Sequence, residues 1–139
     1  SHGAPWGFYL KDREPLSPAH LDRLLDRYCG NRPTVLFVSA CYSGVFTGNV
    51  MRQPNRAIFT AARDDRNSFG CGVENVYTYW DACTIDQLPA AANWDDLRKR
   101  LDVCIREKEA STDLRFSFPQ AVIGPGVAKL PVLGRRSKP

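Results

Sequence analysis

The stretch TVLFVSACYSG, residues 34–44, decides the fold that this sequence predicts. Its opening residues are rich in β-branched and aromatic side chains and show no alternation of polarity until the end, which predicts a buried parallel strand over residues 34–40. In an open parallel sheet, reactive groups gather at the carboxyl ends of the strands. Cys41 follows this strand directly, so it is the first candidate for a functional residue.

The segments around this strand predict an α/β chain. Ser17 suits a helix N-cap, apolar residues follow it at helical spacing, and Gly30 ends the predicted helix. A second apolar run, residues 57–61, predicts the next strand, and a short crossover helix fits between the two strands. Asn93 caps another predicted helix, and residues 120–123 predict a last strand. No repeat or linker divides these elements, which indicates a single domain.

Length and charge narrow the classes of function. The chain has 139 residues, 43% of them hydrophobic, which suits one ordinary domain with its own core. Residues 134–139 hold three cations, so the net charge of +4 falls to +1 for the rest of the chain, and nucleic-acid binding is disfavoured. This short basic end predicts a disordered tail. The sequence contains no apolar run long enough for a membrane span and no signal-peptide layout.

Cysteines and histidines restrict the chemistry further. The five cysteines are Cys29, Cys41, Cys71, Cys83 and Cys104. An odd number leaves at least one free thiol after full pairing. Because there is no CxxC spacing and there are only two histidines, the sequence predicts no structural zinc site, and no cofactor is implied. Cys71 and Cys83 are close enough in sequence to pair in an oxidising compartment, and two buried thiols are the alternative left open.

A cysteine nucleophile needs a nearby base, and the sequence offers only His2 and His20. His20 falls within the first predicted helix, where an exposed surface histidine is expected. His2 is followed by Gly3, whose backbone N–H can approach a substrate carbonyl as an oxyanion donor. If the turn after Cys41 begins a helix, the N-terminal amides of that helix would face the sulfur and favour the thiolate. From the residues alone, a buried structural cysteine stays open as the alternative to a catalytic one.

Several short motifs stand in a particular order along the chain. They are Ser1-His2-Gly3, Ser39-Ala40-Cys41-Tyr42-Ser43-Gly44, Thr60-Ala61-Ala62-Arg63 and Ser68-Phe69-Gly70-Cys71-Gly72. In order and spacing they resemble the legumain-like family of cysteine peptidases, particularly its bacterial members. This family has its catalytic histidine in a His-Gly pair and its cysteine in an Ala-Cys-x-Ser-Gly stretch after the next strand. The resemblance runs from residue 1 to about residue 126.

That resemblance implies an α/β fold, the caspase-like α/β/α sandwich with a mostly parallel sheet. It further implies that residues 1–133 are a partial domain, the C-terminal part of such a peptidase domain, with the first strands absent. Residues 134–139 would then be the disordered basic tail. A chain fragment from the N-terminal side is accordingly a candidate partner that completes the fold.

The mechanism that the resemblance implies is acyl transfer in a cysteine endopeptidase. Cys41 attacks a peptide carbonyl, the amides of Gly3 and Cys41 hold the oxyanion, and His2 protonates the leaving amine. Water then releases the acyl group from the thioester. The expected partner is a peptide or protein substrate, with neither nucleic acid nor a membrane span, and the family favours a periplasmic or secreted protein.

The resemblance also implies three substrate-binding residues. Ser68 matches a serine that helps to wall the primary specificity pocket, and Asp81 is a looser match for an acid of that pocket. Ser39 stands where legumains have an acid that helps to recognise asparagine. The serine removes one polar partner, so a preference for asparagine does not carry over to this chain.

Three alternatives are weighed against the peptidase. Ser43 lies in a stretch that loosely resembles a serine-hydrolase nucleophile elbow, but the first glycine of that elbow is missing and the histidine comes in the wrong order. A peptide-binding module without activity could keep the same scaffold, because fold does not establish activity. A transpeptidase would use the same acyl-enzyme and pass it to an amine instead of water.

Overall fold

A short hairpin, a three-stranded sheet and four α-helices make up the computed structural model, which describes residues 2–11 and 13–132. In chain order the elements are β1 (His2–Ala4), β2 (Gly7–Tyr9), α1 (Pro18–Cys29), β3 (Thr34–Val38), β4 (Arg56–Thr60), α2 (Tyr79–Gln87), α3 (Trp94–Ala110), β5 (Gln120–Ile123) and α4 (Pro125–Ala128). The tail predicted at residues 134–139 lies outside the described residues.

The sheet has the order β3-β4-β5, with β4 in the centre. Strands β3 and β4 run parallel, as predicted, with Thr34 opposite Arg56 and Val38 opposite Thr60. Strand β5 pairs with β4 in the antiparallel direction, so the sheet is mixed. The sequence predicted that the strand now labelled β3 is buried, which is wrong for most of its length. Phe37, for example, is 36% exposed. Among the described strands β3 pairs on one side only, and the fully buried strand is β4.

Helices cover both faces of the sheet, which makes the described chain an α/β/α sandwich. Side chains of β4 alternate between the two faces, as the pleat of a strand requires. Ile58 packs with Val38, Phe46 and Met51 toward α1. Phe59 and Ala57 belong to the larger cluster on the other face, toward α2 and α3. The buried members of that cluster also include Ala61, Trp80, Cys83, Ala91, Trp94, Leu97, Leu101, Ile105, Val127 and Val132.

The predicted helix boundaries are confirmed by their caps. The Ser17 hydroxyl accepts the His20 N–H at 3.2 Å, and Gly30 closes α1 with φ of 55°. At the start of α3 the Asn93 side chain accepts the Asp96 N–H at 2.9 Å. The crossover helix predicted between β3 and β4 is replaced by two short 3₁₀ helices, Ser43–Thr47 and Asn49–Met51.

A disulfide joins Cys83 of α2 to Cys104 of α3. Both alternatives for Cys71 and Cys83 are therefore wrong: Cys83 pairs with a different cysteine, and Cys71 is an exposed free thiol. The physical reason is that α2 and α3 pack face to face and bring the two Cα atoms to 6.0 Å, within the usual range for a disulfide. Closing a loop of this length stabilises the fold by about 3 kcal/mol.

Arg56, the first residue of β4, is a buried cation that ties the sheet to α1. Its Nη1 lies 2.7 Å from Oδ1 of Asp22 and its Nη2 lies 2.6 Å from Oδ1 of Asp26, one helical turn further along α1. Its Nη1 also donates to the Met51 carbonyl at 3.2 Å. The Arg56 side chain is only 3% exposed, so removing either side of this ion pair leaves charge without its partner.

We expect Arg56→Ala to lower the free energy of unfolding by about 3 kcal/mol, because Asp22 and the Met51 carbonyl lose their buried donor. Urea unfolding followed by circular dichroism measures this change. The matched control is Arg98→Ala, which removes an exposed pair with Asp95 and is expected to cost less than about 1 kcal/mol. Equal effects of the two substitutions would contradict the anchoring role of Arg56.

Candidate active site

Cys41 lies at the edge of the sheet where the parallel strands β3 and β4 both end. Val38 and Thr60 finish the two strands side by side, and the ladder continues with the Ala61 N–H donating to the Val38 carbonyl at 3.0 Å. The Cys41 sulfur accepts the Ser68 N–H at 3.3 Å, and its thiol lies 3.5 Å from the Ser68 carbonyl. The predicted location of Cys41 at a strand end, where active groups gather, is confirmed.

The turn after Cys41 is fixed by the loop that follows β4. Tyr42 adopts the left-handed region with φ of 56°, and its N–H donates to the Arg66 carbonyl at 2.7 Å. Gly44 packs so closely that a Cβ on it would lie 2.4 Å from the Asp64 nitrogen. Only glycine allows this approach, so the two loops hold each other beside the sulfur.

Ser43 is buried, and its hydroxyl accepts the Ala62 N–H at 3.2 Å. Because this oxygen is enclosed and committed to the backbone, the geometry argues against Ser43 as a nucleophile. The expected helix at this turn is a 3₁₀ helix of 5 residues, too short for a substantial helix dipole. The sulfur instead receives the single amide of Ser68.

The hairpin formed by β1 and β2 carries His2 and Gly3. Phe8, which lies opposite Gly3, uses both its N–H and its carbonyl to bond Leu16, at 3.0 and 2.8 Å. The backbone groups of one strand residue point to the same side, so Phe8 faces Leu16 and Gly3 faces away from β2. The N–H of Gly3 therefore points out of the hairpin.

Gly3 lies directly against the backbone of Cys41. A Cβ placed on Gly3 would be 1.9 Å from the Cys41 carbonyl oxygen and 3.1 Å from the Ala40 Cβ, distances that no side chain tolerates. The structure thus brings the His-Gly pair and Cys41 together. His2, the neighbour of Gly3 in the chain, is exposed. The other histidine, His20, is exposed in the first turn of α1, as expected.

A narrow crevice of about 10 Å³, roughly the room for one water molecule, opens beside the sulfur, and we call it the Cys41 crevice. Its lining residues are Ser39, Ala40, Cys41, Ser68, Cys71 and Thr78. Of the three predicted substrate-binding residues, the structure brings Ser39 and Ser68 to this crevice. Sequence reasoning missed Thr78 and Cys71 as lining residues.

Asp81 does not line the Cys41 crevice. Its carboxylate accepts the Thr78 hydroxyl at 2.9 Å, and its N–H donates to the same oxygen at 3.1 Å. Thr78 is thus the N-cap of α2, held by its side-chain hydrogen bonds with Asp81, and it also lines the crevice. The Thr-x-x-Asp pattern before the helix is the sequence signal that could have placed Thr78 here.

The loop that follows β4, near the crevice, carries charged side chains that pair with each other. Arg63 binds Asp65 through two hydrogen bonds of 2.6 and 2.9 Å. This pair lowers the pKa of Asp65 and raises the pKa of Arg63, chiefly through the hydrogen bonds between the two side chains. Among the described residues, no ionised carboxylate or guanidinium lines the Cys41 crevice, whose polarity comes from hydroxyl, thiol and backbone groups.

Within residues 2–11 and 13–132 there is no group of His, Cys, Asp and Glu side chains that could hold a metal ion. In the same described part of the chain, none of the helices is long and apolar enough to span a membrane.

The family comparison identifies the class of protein. The sequence model of the peptidase C13 family matches residues 1–100 of the 139. The chain belongs to this family, the legumain family of cysteine peptidases, which confirms the family that the resemblance named. Its mixed α/β architecture agrees with the caspase-like fold of the family. A search of the curated proteins found no match to this chain.

We expect Gly3→Ala to slow alkylation of Cys41 by a peptidyl probe by at least about tenfold, because the added methyl group displaces β1 from the cysteine. Intact-mass spectrometry at timed intervals gives the rate. Gly48→Ala is the matched control, since a Cβ there would lie 3.4 Å from the Val45 carbonyl oxygen, an ordinary contact. A Gly3→Ala protein that labels as fast as the control would show that the close contact is not needed.

Proposed function

We propose that this protein is a cysteine endopeptidase that cleaves peptide bonds through a Cys41–His2 dyad and a thioester acyl-enzyme. The observation that carries this proposal is the contact between Gly3 and the Cys41 backbone, because it fixes the His-Gly pair beside the thiol. Membership of the peptidase C13 family supports the same chemistry.

The first chemical step is attack of the Cys41 sulfur on the scissile carbonyl carbon, with the thiol proton passing to His2. The carbonyl oxygen becomes an oxyanion, and the N–H groups of Gly3 and Cys41 donate to it. Two features support Gly3 in this role: its N–H points away from β2, and its missing side chain lets its backbone lie against the backbone of Cys41.

His2 gives a proton to the leaving amine as the carbon–nitrogen bond breaks, which leaves the acyl group on sulfur. A water molecule then attacks the thioester carbonyl, with His2 accepting its proton, and the carboxylic acid leaves as Cys41 is restored. His2 is exposed in the substrate-free protein, so it is free to exchange protons with solvent between the two half-reactions.

The Cys41 crevice is the site that we assign to the substrate side chain next to the cleaved bond. Ser39 and Ser68 are the predicted binding residues that line it, and the Ser68 backbone also contacts the sulfur. Asp81 contributes through Thr78, whose hydroxyl it fixes by a hydrogen bond. Because the crevice is narrow and its described lining residues carry no ionised group, we expect a preference for a small or uncharged residue.

The open edge of β3 is where a further chain segment would complete the fold. The Thr34 N–H and the Val38 carbonyl are bonded toward β4, so the backbone groups of Val35 and Phe37 face the other way. Such an edge, next to an exposed Phe37, accepts an added strand. We propose that an N-terminal fragment of the same protein family occupies it.

The Cys83–Cys104 disulfide supports a periplasmic or secreted location, because disulfides persist in oxidising compartments.

Labelling by a peptidyl acyloxymethyl ketone tests the dyad. We expect Cys41→Ala to abolish labelling of this position and His2→Ala to slow it by about a hundredfold or more, since general acid–base catalysis contributes 10²–10⁴-fold. His20→Ala is the matched histidine control and should label at the wild-type rate. Iodoacetamide reports the intrinsic reactivity of the thiol in each variant.

Equal labelling of the His2 and His20 variants would contradict the dyad, and no labelling across a varied panel of probes would favour a binding module without activity. Where labelling succeeds, incubation with a peptide substrate and an added amine separates two outcomes. A hydrolysed product identifies the peptidase, and an amine-joined product identifies a transpeptidase.

A further inference from the structure

We propose that Cys71 forms a reversible disulfide with Cys41 and thereby switches the nucleophile off under oxidising conditions. Both cysteines are free thiols, and both line the same Cys41 crevice. This inference rests on the proposed function, because it describes the regulation of the same thiol.

The segment that carries Cys71 is held against the cysteine nucleophile. Ser68 contacts the Cys41 sulfur through both its N–H and its carbonyl, and Cys71 follows Ser68 by three positions. The Tyr79 N–H donates to the Phe69 carbonyl at 3.1 Å, which ties the same segment to the start of α2. Cys71 is therefore kept at the mouth of the crevice.

Glycines on both sides give Cys71 the freedom that disulfide geometry demands. Gly70, the residue before Cys71, has φ of 89°, a value that residues with a side chain rarely adopt, and Gly72 is the residue after Cys71. A disulfide requires its two Cα atoms to lie within about 4.4–6.8 Å of each other, with a restricted dihedral angle. The Gly-Cys-Gly segment has no regular secondary structure, so Cys71 does not lie in a helix or strand that would fix its distance from Cys41.

The other cysteines are placed differently. Cys83 and Cys104 already form a disulfide between two packed helices, with Cys83 fully buried. Cys29 is the last residue of α1 and does not line the Cys41 crevice. Cys71 is the exposed thiol among the three free cysteines, so a small oxidant reaches it from solvent.

A low-molecular-weight disulfide, such as oxidised glutathione, supplies the oxidising equivalent. The Cys41 thiolate attacks one sulfur of the oxidant, forms a mixed disulfide and releases one glutathione thiolate. The Cys71 thiolate then attacks the Cys41 sulfur of the mixed disulfide and releases the second glutathione thiolate. The two protein thiols are oxidised, one glutathione disulfide is reduced to two thiols, and the protons of the cysteines pass to the released thiolates.

The test starts from protein in which Cys41 and Cys71 are reduced and the Cys83–Cys104 disulfide is intact, and exposes it to oxidised glutathione. The reaction is followed by intact-mass spectrometry and peptide mapping. We expect the wild-type protein to lose two hydrogen atoms in mass, with little retained glutathione, and to yield a linked pair of peptides containing Cys41 and Cys71. Trypsin, acting at Arg52 among other sites, and a protease specific for glutamate, acting at Glu74, place Cys41, Cys71 and Cys83 in different peptides.

The substitution Cys71→Ser removes the resolving thiol, so Cys41 should accumulate as its mixed disulfide with glutathione. Cys29→Ser is the control and should form the Cys41–Cys71 link like the wild-type protein. The proposal is overturned if the wild-type protein and Cys71→Ser retain glutathione on Cys41 to the same extent, or if Cys71 pairs with a residue other than Cys41.

Labelling with the acyloxymethyl ketone separates this proposal from the proposed function. In the oxidised wild-type protein we expect labelling of Cys41 to fall at least about tenfold and to return with dithiothreitol, because only the thiolate reacts. A Cys41–Cys71 link in a protein that never labels after reduction would overturn the peptidase and leave the disulfide standing. Labelling of the reduced protein without any link would do the reverse.

Discussion

The absence of a side chain at Gly3 is the constraint on which the site depends. A Cβ at this position would lie 1.9 Å from the Cys41 carbonyl oxygen, far inside van der Waals contact, so β1 can pack against the Cys41 backbone only through glycine. That approach brings His2 to the cysteine without any direct link between the two side chains. It also leaves the Gly3 N–H directed away from β2, so one short contact brings the His-Gly pair to the cysteine backbone, where we propose Gly3 as an oxyanion donor.

The rest of the fold holds the other side of this contact in place. Parallel pairing of β3 with β4 puts two strand ends at one edge of the sheet, and the loops that follow them interlock at Tyr42 and Gly44. Buried Arg56 holds α1 against the central strand β4. Leu16, just before α1, bonds to Phe8 of the hairpin, so a fixed α1 also supports the hairpin. On the opposite face, the helix pair joined by the disulfide supplies Thr78 at its edge.

Local patterns in the sequence were enough for the elements and for the position of Cys41. Ser17, Gly30 and Asn93 act on their own helices, so their roles can be read from neighbours in the chain. The short hairpin was missed because β1 and β2 have only three residues each and depend on the distant contact with Cys41. The burial of β3 was misjudged because apolar composition does not reveal whether a strand lies at the edge of a sheet.

Contacts between residues far apart in the sequence also explain the remaining differences between the predicted and the observed site. Cys83 and Cys104 meet because two helices pack, whereas distance along the sequence had left a pairing of Cys83 with Cys71 open. Ser39 and Ser68, which the family resemblance implies as substrate-binding residues, line the Cys41 crevice, whereas Asp81 bonds to Thr78 instead of lining it.

A crystal structure of the protein with a peptide aldehyde bound to Cys41 tests the central claim most directly, because its hemithioacetal oxygen takes the place of the oxyanion. The account predicts this oxygen within about 3.1 Å of the Gly3 nitrogen, with the His2 ring facing the leaving-group side. An oxygen directed away from Gly3, with His2 turned from the adduct, would contradict it.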